Sequence, residues 1–393
     1  MELRLKKGED RRLRAGHAWV FSNEVDIALT PLTAFRPGDA VRVISDRGTF
    51  LGHAYVNPHA LICARLLSRD ERCEPDAALL AARIGRALRL RERLCPTPHY
   101  RLVYGESDEL PGLIVDRYGE VAVGQIATAG MEARKADSEA AIREAVAPRS
   151  LVWKNDTGAR DLEQLPKELT VAFGALPEEL ELVENGIAFT APLGQGQKTG
   201  WFYDQSVNRA RFRELLPRAA RVLDVCSYAG AWAVTALQGG ARAAACVDAS
   251  ASALAAAARN AQRHGFEIEA LKGDAFDILE SLATAGRRFD AIVLDPPAFA
   301  KRRKDLPKAQ AAYRKLNQLA LRLLDDEGLL VSCSCSWHLA ESDLLAAIQS
   351  AARHVTRFVQ VIAVGGQSPD HPLHPAIAET RYLKAFFCRV LSG

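Results

Sequence analysis

Several kinds of segment are missing from this sequence of 393 residues. No stretch approaches the roughly 20 consecutive apolar residues of a membrane-spanning helix, and the first residues contain no apolar core of a signal peptide. The eight cysteines are scattered, as expected of reduced thiols and not of a disulfide framework. No internal repeat or low-complexity tract is visible. The sequence therefore predicts a cytoplasmic chain without a membrane segment, divided into two or three globular domains.

A strong net charge is also missing, because 51 lysines and arginines are nearly balanced by 48 aspartates and glutamates. The positive charges nevertheless concentrate in three segments, which are Arg4–Arg14, the helical stripe Arg83–Arg93 and the run Lys301–Lys304. Each segment taken alone is compatible with an ordinary solvated face. Together, three basic patches in a nearly neutral protein favour a polyanionic partner.

The order of predicted elements divides the chain into three domains. Short strands with turn signals fill residues 1–72 and predict a compact β-barrel of the size of an RNA-binding domain. Residues 73–185 mix helix and strand and predict a small α+β middle domain. The dipeptide Asn185-Gly186 is a strong hairpin turn. A third domain is predicted over residues 186–393, beginning with that hairpin.

The third predicted domain alternates apolar strands with helices. Continuous apolar strands separated by helices indicate an open, mostly parallel, doubly wound α/β sheet. Ligands of such sheets bind beyond the carboxyl ends of the strands. The residues at the predicted strand ends are Asp224, Asp248, Asp274, Asp295 and Cys335.

The pattern after the first strand of this sheet favours a cofactor without a pyrophosphate. The dinucleotide-binding pattern G-x-G-x-x-G is absent, since only Gly230 of it is present. S-adenosylmethionine needs acids near its methionine end, its ribose and its adenine amine. Asp224, Asp248 and Asp274 occupy three successive strand ends in that order, although each acid alone is compatible with a surface strand cap. The segment after Asp224 adds the candidate cofactor contacts Ser227, Tyr228 and Gly230.

A second motif, DPPAF at residues 295–299, follows the fourth apolar strand. Its two prolines remove backbone donors and stiffen the chain where it leaves the sheet. In methyltransferases a D-P-P-x sequence at this point holds the target base, and a simple loop with two prolines is the alternative interpretation. The candidate substrate-binding residues of this motif and the adjacent basic run are Pro296, Pro297, Phe299, Lys301 and Arg302.

The segment LLVSCSCSW, Leu329–Trp337, ends an apolar strand with two thiols one residue apart. Because side chains alternate along a strand, Cys333 and Cys335 are predicted to share one face. A zinc site with His338 would need a second Cys/His cluster, which is not visible. Buried core cysteines and a nucleophile are the other interpretations. A thiolate that adds to carbon 6 of cytosine or uracil enables carbon 5 to accept a methyl group.

Nearly from end to end, the sequence resembles the RlmI-type bacterial 23S rRNA cytosine-5 methyltransferases. The segments that carry the resemblance occur in the family order; they are HAWVFSNEV, GESDELPGLIVDRYG, GQKTGWFYDQ, VLDVCSYAGAWAV, VDAS, LDPPAF, SCSCS and YLKAFFCRV. The resemblance implies a PUA-like β-barrel, a small middle domain and a Rossmann-like class I methyltransferase domain. It also implies S-adenosylmethionine as the cofactor and 23S rRNA as the substrate.

The same resemblance implies roles for individual residues. In the family, the nucleophile is the cysteine of the SCS element that Cys335 occupies, which makes Cys333 an additional thiol. Asp295 is implied to hydrogen-bond the cytosine edge, and no metal ion is implied. The residues implied to lie on the cofactor side are Lys198, Asp204 and Gln205.

Other functions are compatible with these patterns. The methyl group could go to carbon 5 of uracil, or to a guanine nitrogen, which needs no thiol. A chain that keeps the cofactor fold without catalysis would serve as an RNA-binding assembly factor. The missing glycines make an NAD dehydrogenase the least favoured alternative. The sequence leaves open the target nucleotide, the choice between free rRNA and an assembling large subunit, and whether the chain is a monomer or a homodimer.

Overall fold

A computed structural model describes residues 1–194, 199–300 and 302–393. The chain forms two compact units whose segments interleave along the sequence. The first unit comprises Met1–Leu180, Pro192–Trp201 and Pro369–Thr380, and the second comprises Glu181–Ala191, Phe202–Ser368 and Arg381–Gly393. In the described ranges, every helix is too short or too polar to span a lipid bilayer.

The first unit begins with a five-stranded barrel. Its elements are β1 (Glu2–Arg4), α1 (Arg11–Arg14), β2 (Trp19–Phe21), β3 (Ala40–Ile44), β4 (Phe50–Val56) and β5 (Ile62–Ser68). The strand order is β1-β3-β4-β5-β2, and a bridge between Leu5 and Val25 joins the segments that follow β1 and β2. Inward-facing residues such as Leu3, Val20 and Val43 are fully buried. The barrel fold predicted for the start of the chain is therefore confirmed.

The remainder of the first unit is an α+β layer. Its elements are α2 (Ala77–Leu94), β6 (His99–Tyr104), β7 (Leu113–Tyr118), β8 (Val121–Ile126), α3 (Ala129–Glu132), α4 (Lys135–Val146), β9 (Ser150–Asn155), α5 (Ala159–Leu162) and β10 (Glu168–Phe173). The sheet order is β10-β9-β8-β7-β6, and β8 and β9 run parallel. Leu80, Ile84 and Ile142 from α2 and α4 are buried in the core of this layer.

Buried hydrogen bonds join the barrel to this layer within the first unit. The Tyr55 hydroxyl of β4 donates to the carbonyl of Pro111 at 2.8 Å. Glu163, which follows α5, accepts from the side chains of Asn57 at 2.7 Å and Arg65 at 2.8 Å. The first two predicted domains therefore lie in one compact unit up to Leu180, and residues 181–185 belong to the second unit.

The arginine stripe predicted on α2 is only partly a surface feature. Arg83 is buried, and its guanidinium donates to the backbone carbonyls of Glu109 and Leu67. Arg86 forms an exposed ion pair with Glu109 at 2.7 Å. The prediction of a continuous basic face is thus wrong at Arg83. Its guanidinium instead joins α2 to the backbone at Leu67 and Glu109.

A hairpin, β11 (Glu179–Glu184) and β12 (Ile187–Pro192), leads into the large sheet. Its turn is Asn185-Gly186, as predicted, with φ angles of 52° and 80°. Asn and Gly are the residues that best accept two successive left-handed positions. The elements that follow are α6 (Ser206–Leu215), β13 (Arg221–Val225), α7 (Ala231–Gln238), β14 (Ala243–Asp248), α8 (Ala251–Gln262), β15 (Glu269–Lys272), α9 (Ala275–Thr284), β16 (Phe289–Leu294), α10 (Leu306–Leu323), β17 (Leu324–Ser334), α11 (Glu341–His354), β18 (Arg357–Gly365) and β19 (Lys384–Ser392).

The second unit is a seven-stranded sheet covered on both faces, with the strand order β15-β14-β13-β16-β17-β19-β18. Strand β19 runs antiparallel to both of its neighbours. Helices α6, α7 and α8 pack on one face and α9, α10 and α11 on the other. The doubly wound fold is therefore confirmed. Because the strand order reverses between β13 and β16, a crevice is expected at their carboxyl ends.

Candidate active site

Asp224 lies near the carboxyl end of β13 and is fully buried. Its Oδ2 accepts a hydrogen bond of 3.1 Å from the backbone N–H of Ala233, in the first turn of α7. No hydrogen-bond partner for Oδ1 is found among the described residues. Burial raises the pKa of Asp224 to about 8, and the nearby carboxylates of Asp295 and Asp248 add to this effect. A buried carboxylate with one oxygen that accepts no hydrogen bond from the described residues is suited to a cationic ligand group.

The loop between β13 and α7 has an unusual backbone. Cys226 and Tyr228 have positive φ angles of 65° and 48°, and Gly230 has φ of 75°. A Cβ at Gly230 would lie 2.7 Å from the Cβ of Ala257 in α8, so close helix packing also requires glycine there. Such left-handed non-glycine residues concentrate at binding sites.

Asp248 and Asp274, the next two predicted acids, accept hydrogen bonds from different parts of the backbone. Asp248, at the end of β14, accepts the backbone N–H of Tyr228 on Oδ2 and that of Ser250 on Oδ1, both at 2.9 Å. Asp248 therefore holds the β13–α7 loop in its left-handed conformation. Asp274 is exposed and caps α9 by accepting the backbone N–H of Phe276 at 2.8 Å. Ser227, by contrast, is buried.

Asp295 follows β16 and is held by two neutral donors. The side-chain amide of Gln205 donates to Oδ1 at 2.9 Å, and the indole N–H of Trp232 donates to Oδ2 at 3.1 Å. The amide of Asn208 donates to Gln205 Oε1 at 2.6 Å, which turns the Gln205 amino group towards Asp295. Burial raises the pKa of Asp295, the charge of Asp204 adds to this, and the hydrogen bond from Trp232 opposes it.

A buried ion pair fixes the segment that carries Asp204 and Gln205. Arg209 of α6 makes two hydrogen bonds to Glu184 of β11, at 2.6 and 2.7 Å, and both side chains are buried. Burial lowers the pKa of Arg209, but the charge of Glu184 and its hydrogen bonds have the larger effect. The pKa of Arg209 is therefore raised. The Tyr382 hydroxyl donates to Asp204 Oδ2. This network orders the segment before α6 against the sheet.

The two thiols at the end of β17 have different surroundings: Cys333 lies in the strand and Cys335 follows it. β17 ends at Ser334, so the alternation of a strand does not extend to Cys335. Cys333 is fully buried in the core beside Val331, and burial raises the pKa of its thiol well above the usual value. Cys335 is half-buried, and its Sγ lies 3.9 Å from the carbonyl oxygen of Pro296. In the described ranges, no cluster of three or more potential metal ligands is present.

The residues predicted to bind substrate have mixed environments. Pro296 is buried and Pro297 is exposed. The half-buried ring of Phe299 packs against Tyr313 of α10, with centroids 4.8 Å apart. Arg302 is exposed. Two predicted residues lie outside the described ranges; they are Lys198 and Lys301.

Sequence reasoning missed several residues around this crevice. Trp232 and Asn208 act on Asp295 through contacts that only the folded chain reveals. Trp337, two residues after Cys335, is a large apolar side chain with 41% of its surface exposed. Lys384 is a buried lysine at the start of β19. Its signal in the sequence was a positive charge at the start of the largely apolar run YLKAFFCRV.

Comparison with known proteins defines the class of this chain. Residues 169–387 match the S-adenosylmethionine-dependent methyltransferase family, and residues 3–69 match a PUA-like domain. A protein from Streptococcus mutans, assigned as a SAM-dependent methyltransferase, shares the fold with a TM-score of 0.82 and 20% identity, over 99% of this chain and 100% of that one. A structure of a protein assigned as a methyltransferase, complexed with SAH, gives 0.84 at the same identity and coverage. The chain is an S-adenosylmethionine-dependent methyltransferase.

Curated relatives narrow the class to one family. The ribosomal RNA large subunit methyltransferase I of Erwinia tasmaniensis is 33% identical over 398 residues, covering 100% of both chains. The protein of that name from Vibrio cholerae is 34% identical over 98% of each chain. The chain belongs to the ribosomal RNA large subunit methyltransferase I family, which confirms the resemblance found in the sequence.

Proposed function

We propose that this protein methylates carbon 5 of a cytosine in 23S rRNA, and that Cys335 bonds transiently to the base. The observation that carries the proposal is the 3.9 Å separation between Cys335 Sγ and the carbonyl oxygen of Pro296, the residue after Asp295. The strands before these residues, β16 and β17, are neighbours in the sheet. One base in the crevice can therefore meet a thiol and a carboxylate together.

The covalent step explains why an accessible cysteine is needed. The Cys335 thiolate adds to carbon 6, and the electron pair of the 5,6 double bond moves to carbon 5. S-adenosylmethionine supplies the electrophilic methyl group when bound. Carbon 5 would take the methyl group as the sulfonium–methyl bond breaks, which leaves S-adenosylhomocysteine. Carbon 5 then loses its proton to water, and the electron pair of that C–H bond restores the 5,6 double bond and releases the Cys335 thiolate. Cys333 is a poor candidate because it is fully buried in the core.

The contacts of Asp295 favour cytosine over uracil. Both carboxylate oxygens accept hydrogen bonds, from Gln205 and Trp232, so Asp295 presents acceptor lone pairs to a ligand. The exocyclic amine of cytosine donates to such an acceptor, whereas uracil presents a carbonyl oxygen at the same position. A carboxylate held in this way selects the amine.

Three acids at successive strand ends support the placement of the cofactor. The remaining oxygen of Asp224 suits the positive charge of the methionine end, and Asp248 is suited to the ribose hydroxyls. The exposed position of Asp274 suits the adenine amine at the edge of the site. By similarity to the family, Lys198, Asp204 and Gln205 complete the cofactor side.

The substrate part of the proposal rests on the relatives and on the barrel. The curated relatives are named for large-subunit ribosomal RNA, and the PUA-like match covers the barrel. Exposed basic residues such as Lys7 and Arg11 suit phosphate contacts, which give affinity without reading sequence. The catalytic unit would take one base out of its stack, acting on cytoplasmic rRNA that is either free or assembling.

The two cysteines allow a matched test. Cys335→Ala and Cys333→Ala are assayed for methyl transfer to rRNA from cells that lack this protein, with nucleoside mass spectrometry of the product. We expect Cys335→Ala to lose roughly a thousandfold or more in rate, and Cys333→Ala to stay within about threefold of the wild type. RNA carrying 5-fluorocytosine at the target should trap a covalent complex with the wild type and Cys333→Ala.

Each rival function predicts a different result. Full methyl transfer by Cys335→Ala would exclude the covalent step and point to a base nitrogen. A 5-methyluridine product would exclude cytosine as the target.

A further inference from the structure

Lys384 is a buried cation beside the turn that carries Cys335. It is the first residue of β19 and pairs in register with Ser334, the last residue of β17. Only 6% of its surface is exposed. Its ammonium donates to the carbonyl of Ser336 at 2.6 Å and to that of Leu339 at 2.7 Å. Lys384 therefore bridges both ends of the turn that begins directly after Cys335.

A structural clamp does not by itself require a charged group in this position. Removing an ammonium from water is costly, and a neutral donor could bond to carbonyl oxygens without that cost. Burial lowers the pKa of Lys384 to about 8, and the charge of the Cys335 thiolate acts in the opposite direction. Because such an interaction is mutual, the ammonium stabilises the thiolate as much as the thiolate stabilises the ammonium.

Arg381 is another cation that acts on Lys384, but it is exposed and forms an ion pair with Glu341 at 3.0 Å. The carboxylates of Glu341 and Asp343, at the start of α11, favour the charged form of Lys384. Burial raises the pKa of Tyr313 to about 12 and that of Cys333 well above its usual value, so both groups are neutral near neutral pH. The negative charge of Asp295 also raises the pKa of Tyr313 and of Cys333, which further favours their neutral forms.

We propose that Lys384 is the positioning residue of the nucleophile: it holds the Ser336–Leu339 turn, directly after Cys335, in place and supplies the positive charge that favours the thiolate. The inference rests on the proposed covalent role of Cys335. The thiol proton leaves to water before the sulfur adds to carbon 6. Lys384 keeps its three protons throughout and compensates the negative charge on sulfur before addition and after release.

Three variants separate the charge from the clamp. Lys384→Gln keeps an N–H donor for the turn without the charge, Lys384→Met removes both, and Lys384→Arg keeps both. Lys315→Met, which removes an exposed lysine of α10, is the matched control. The readout is the rate of iodoacetamide alkylation of Cys335, followed by peptide mass spectrometry from about pH 6 to about pH 10 in the absence of RNA.

We expect Lys384→Gln and Lys384→Met to slow alkylation of Cys335 about tenfold at neutral pH, with recovery at the alkaline end. Lys384→Arg and Lys315→Met should follow the wild-type curve. Wild-type curves for both Lys384→Gln and Lys384→Met would overturn the proposal. A slower alkylation of Cys335 at every pH in Lys384→Gln, without recovery at alkaline pH, would also overturn the proposal. Such a curve would mean that Lys384 serves folding alone.

Methyl transfer provides an independent measurement. Lys384→Gln should lower kcat about tenfold at neutral pH while KM for rRNA stays within about twofold. If Lys384→Met does not fold, the pair Lys384→Gln and Lys384→Arg carries the comparison. Failure of the proposed function is recognised separately from failure of this inference. The first would appear as full methyl transfer by Cys335→Ala, whereas the alkylation experiment measures Cys335 without any methyl transfer.

Discussion

At the scale of single residues, Asp224 and Asp295 of the crevice differ in how their charge is compensated. Asp295 receives hydrogen bonds on both oxygens from Gln205 and Trp232. Asp224 receives one, from the backbone of Ala233, on a single oxygen. A carboxylate is destabilised by burial unless it is paired, so Asp224 weakens the cofactor-free fold and gains most from a cationic ligand.

Asp224→Asn should therefore weaken S-adenosylmethionine binding about tenfold and stabilise the cofactor-free protein at alkaline pH. The folded state raises the pKa of Asp224 from 3.8 to about 8, so its contribution to stability is lost as pH rises through that interval. The variant should melt a few degrees higher than the wild type at about pH 9 and equally at about pH 4. Calorimetric titration and thermal melting measure the two effects.

Asp277→Asn, an exposed substitution in the first turn of α9, is the control for this experiment. Unchanged cofactor affinity in Asp224→Asn would show that the acid does not face the methionine end.

The residues of the crevice also differ in whether the sequence alone predicts them. Asp224, Asp248 and Asp295 were found in the sequence because apolar strands end beside them. The donors Trp232 and Asn208 were not, because they lie in α7 and α6. Trp232 reaches Asp295, and Asn208 reaches Gln205, only after the helices pack on the sheet. A helical tryptophan in an apolar segment looks like an ordinary core residue.

At the scale of elements, the turn after β17 presents an aromatic side chain next to the candidate nucleophile. Trp337 is 41% exposed, and its ring lies 5.0 Å from that of His338. Single-stranded RNA bases stack on exposed aromatic rings, with about 1–3 kcal/mol per base. The turn held by Lys384 can therefore offer a surface for a base adjoining the target.

Trp337→Ala should raise KM for rRNA roughly tenfold and leave S-adenosylmethionine affinity unchanged, because stacking acts on the RNA alone. Steady-state kinetics with rRNA and calorimetry with the cofactor separate these quantities. Phe358→Ala, which removes an exposed aromatic ring from β18, should change neither. A rise in KM of equal size in both variants would argue against a specific platform at Trp337.

At the scale of the whole molecule, polar contacts unite the barrel and the α+β layer into the first unit. Glu163 accepts from Asn57 at 2.7 Å, from Arg65 at 2.8 Å and from the backbone of Ala129 at 3.2 Å. Asn57 and Glu163 are buried, and Arg65 is nearly so. A buried pair of this kind is most costly when one partner is removed, since the other charge stays behind.

Glu163→Ala should lower the free energy of unfolding of the first unit by about 3 kcal/mol, because Arg65 would lose its nearest carboxylate. Glu120→Ala removes the exposed ion pair with Arg149 and should cost less than about 1 kcal/mol. Urea unfolding of the full chain measures both. Equal stability of the two variants would mean that the contacts of Glu163 do not hold the barrel to the layer.

The sequence by itself determined the order of the elements, because apolar periodicity and the turn at Asn185-Gly186 act over a few residues. It also located the acids at strand ends and the DPPAF and SCSCS motifs. Only the tertiary structure decided that Cys333 is buried while Cys335 is half-buried, that Arg83 is internal, and that Lys384 binds the turn that follows Cys335. Those outcomes depend on the pairing of β17 with β19 and on helix packing, which join residues far apart in the chain.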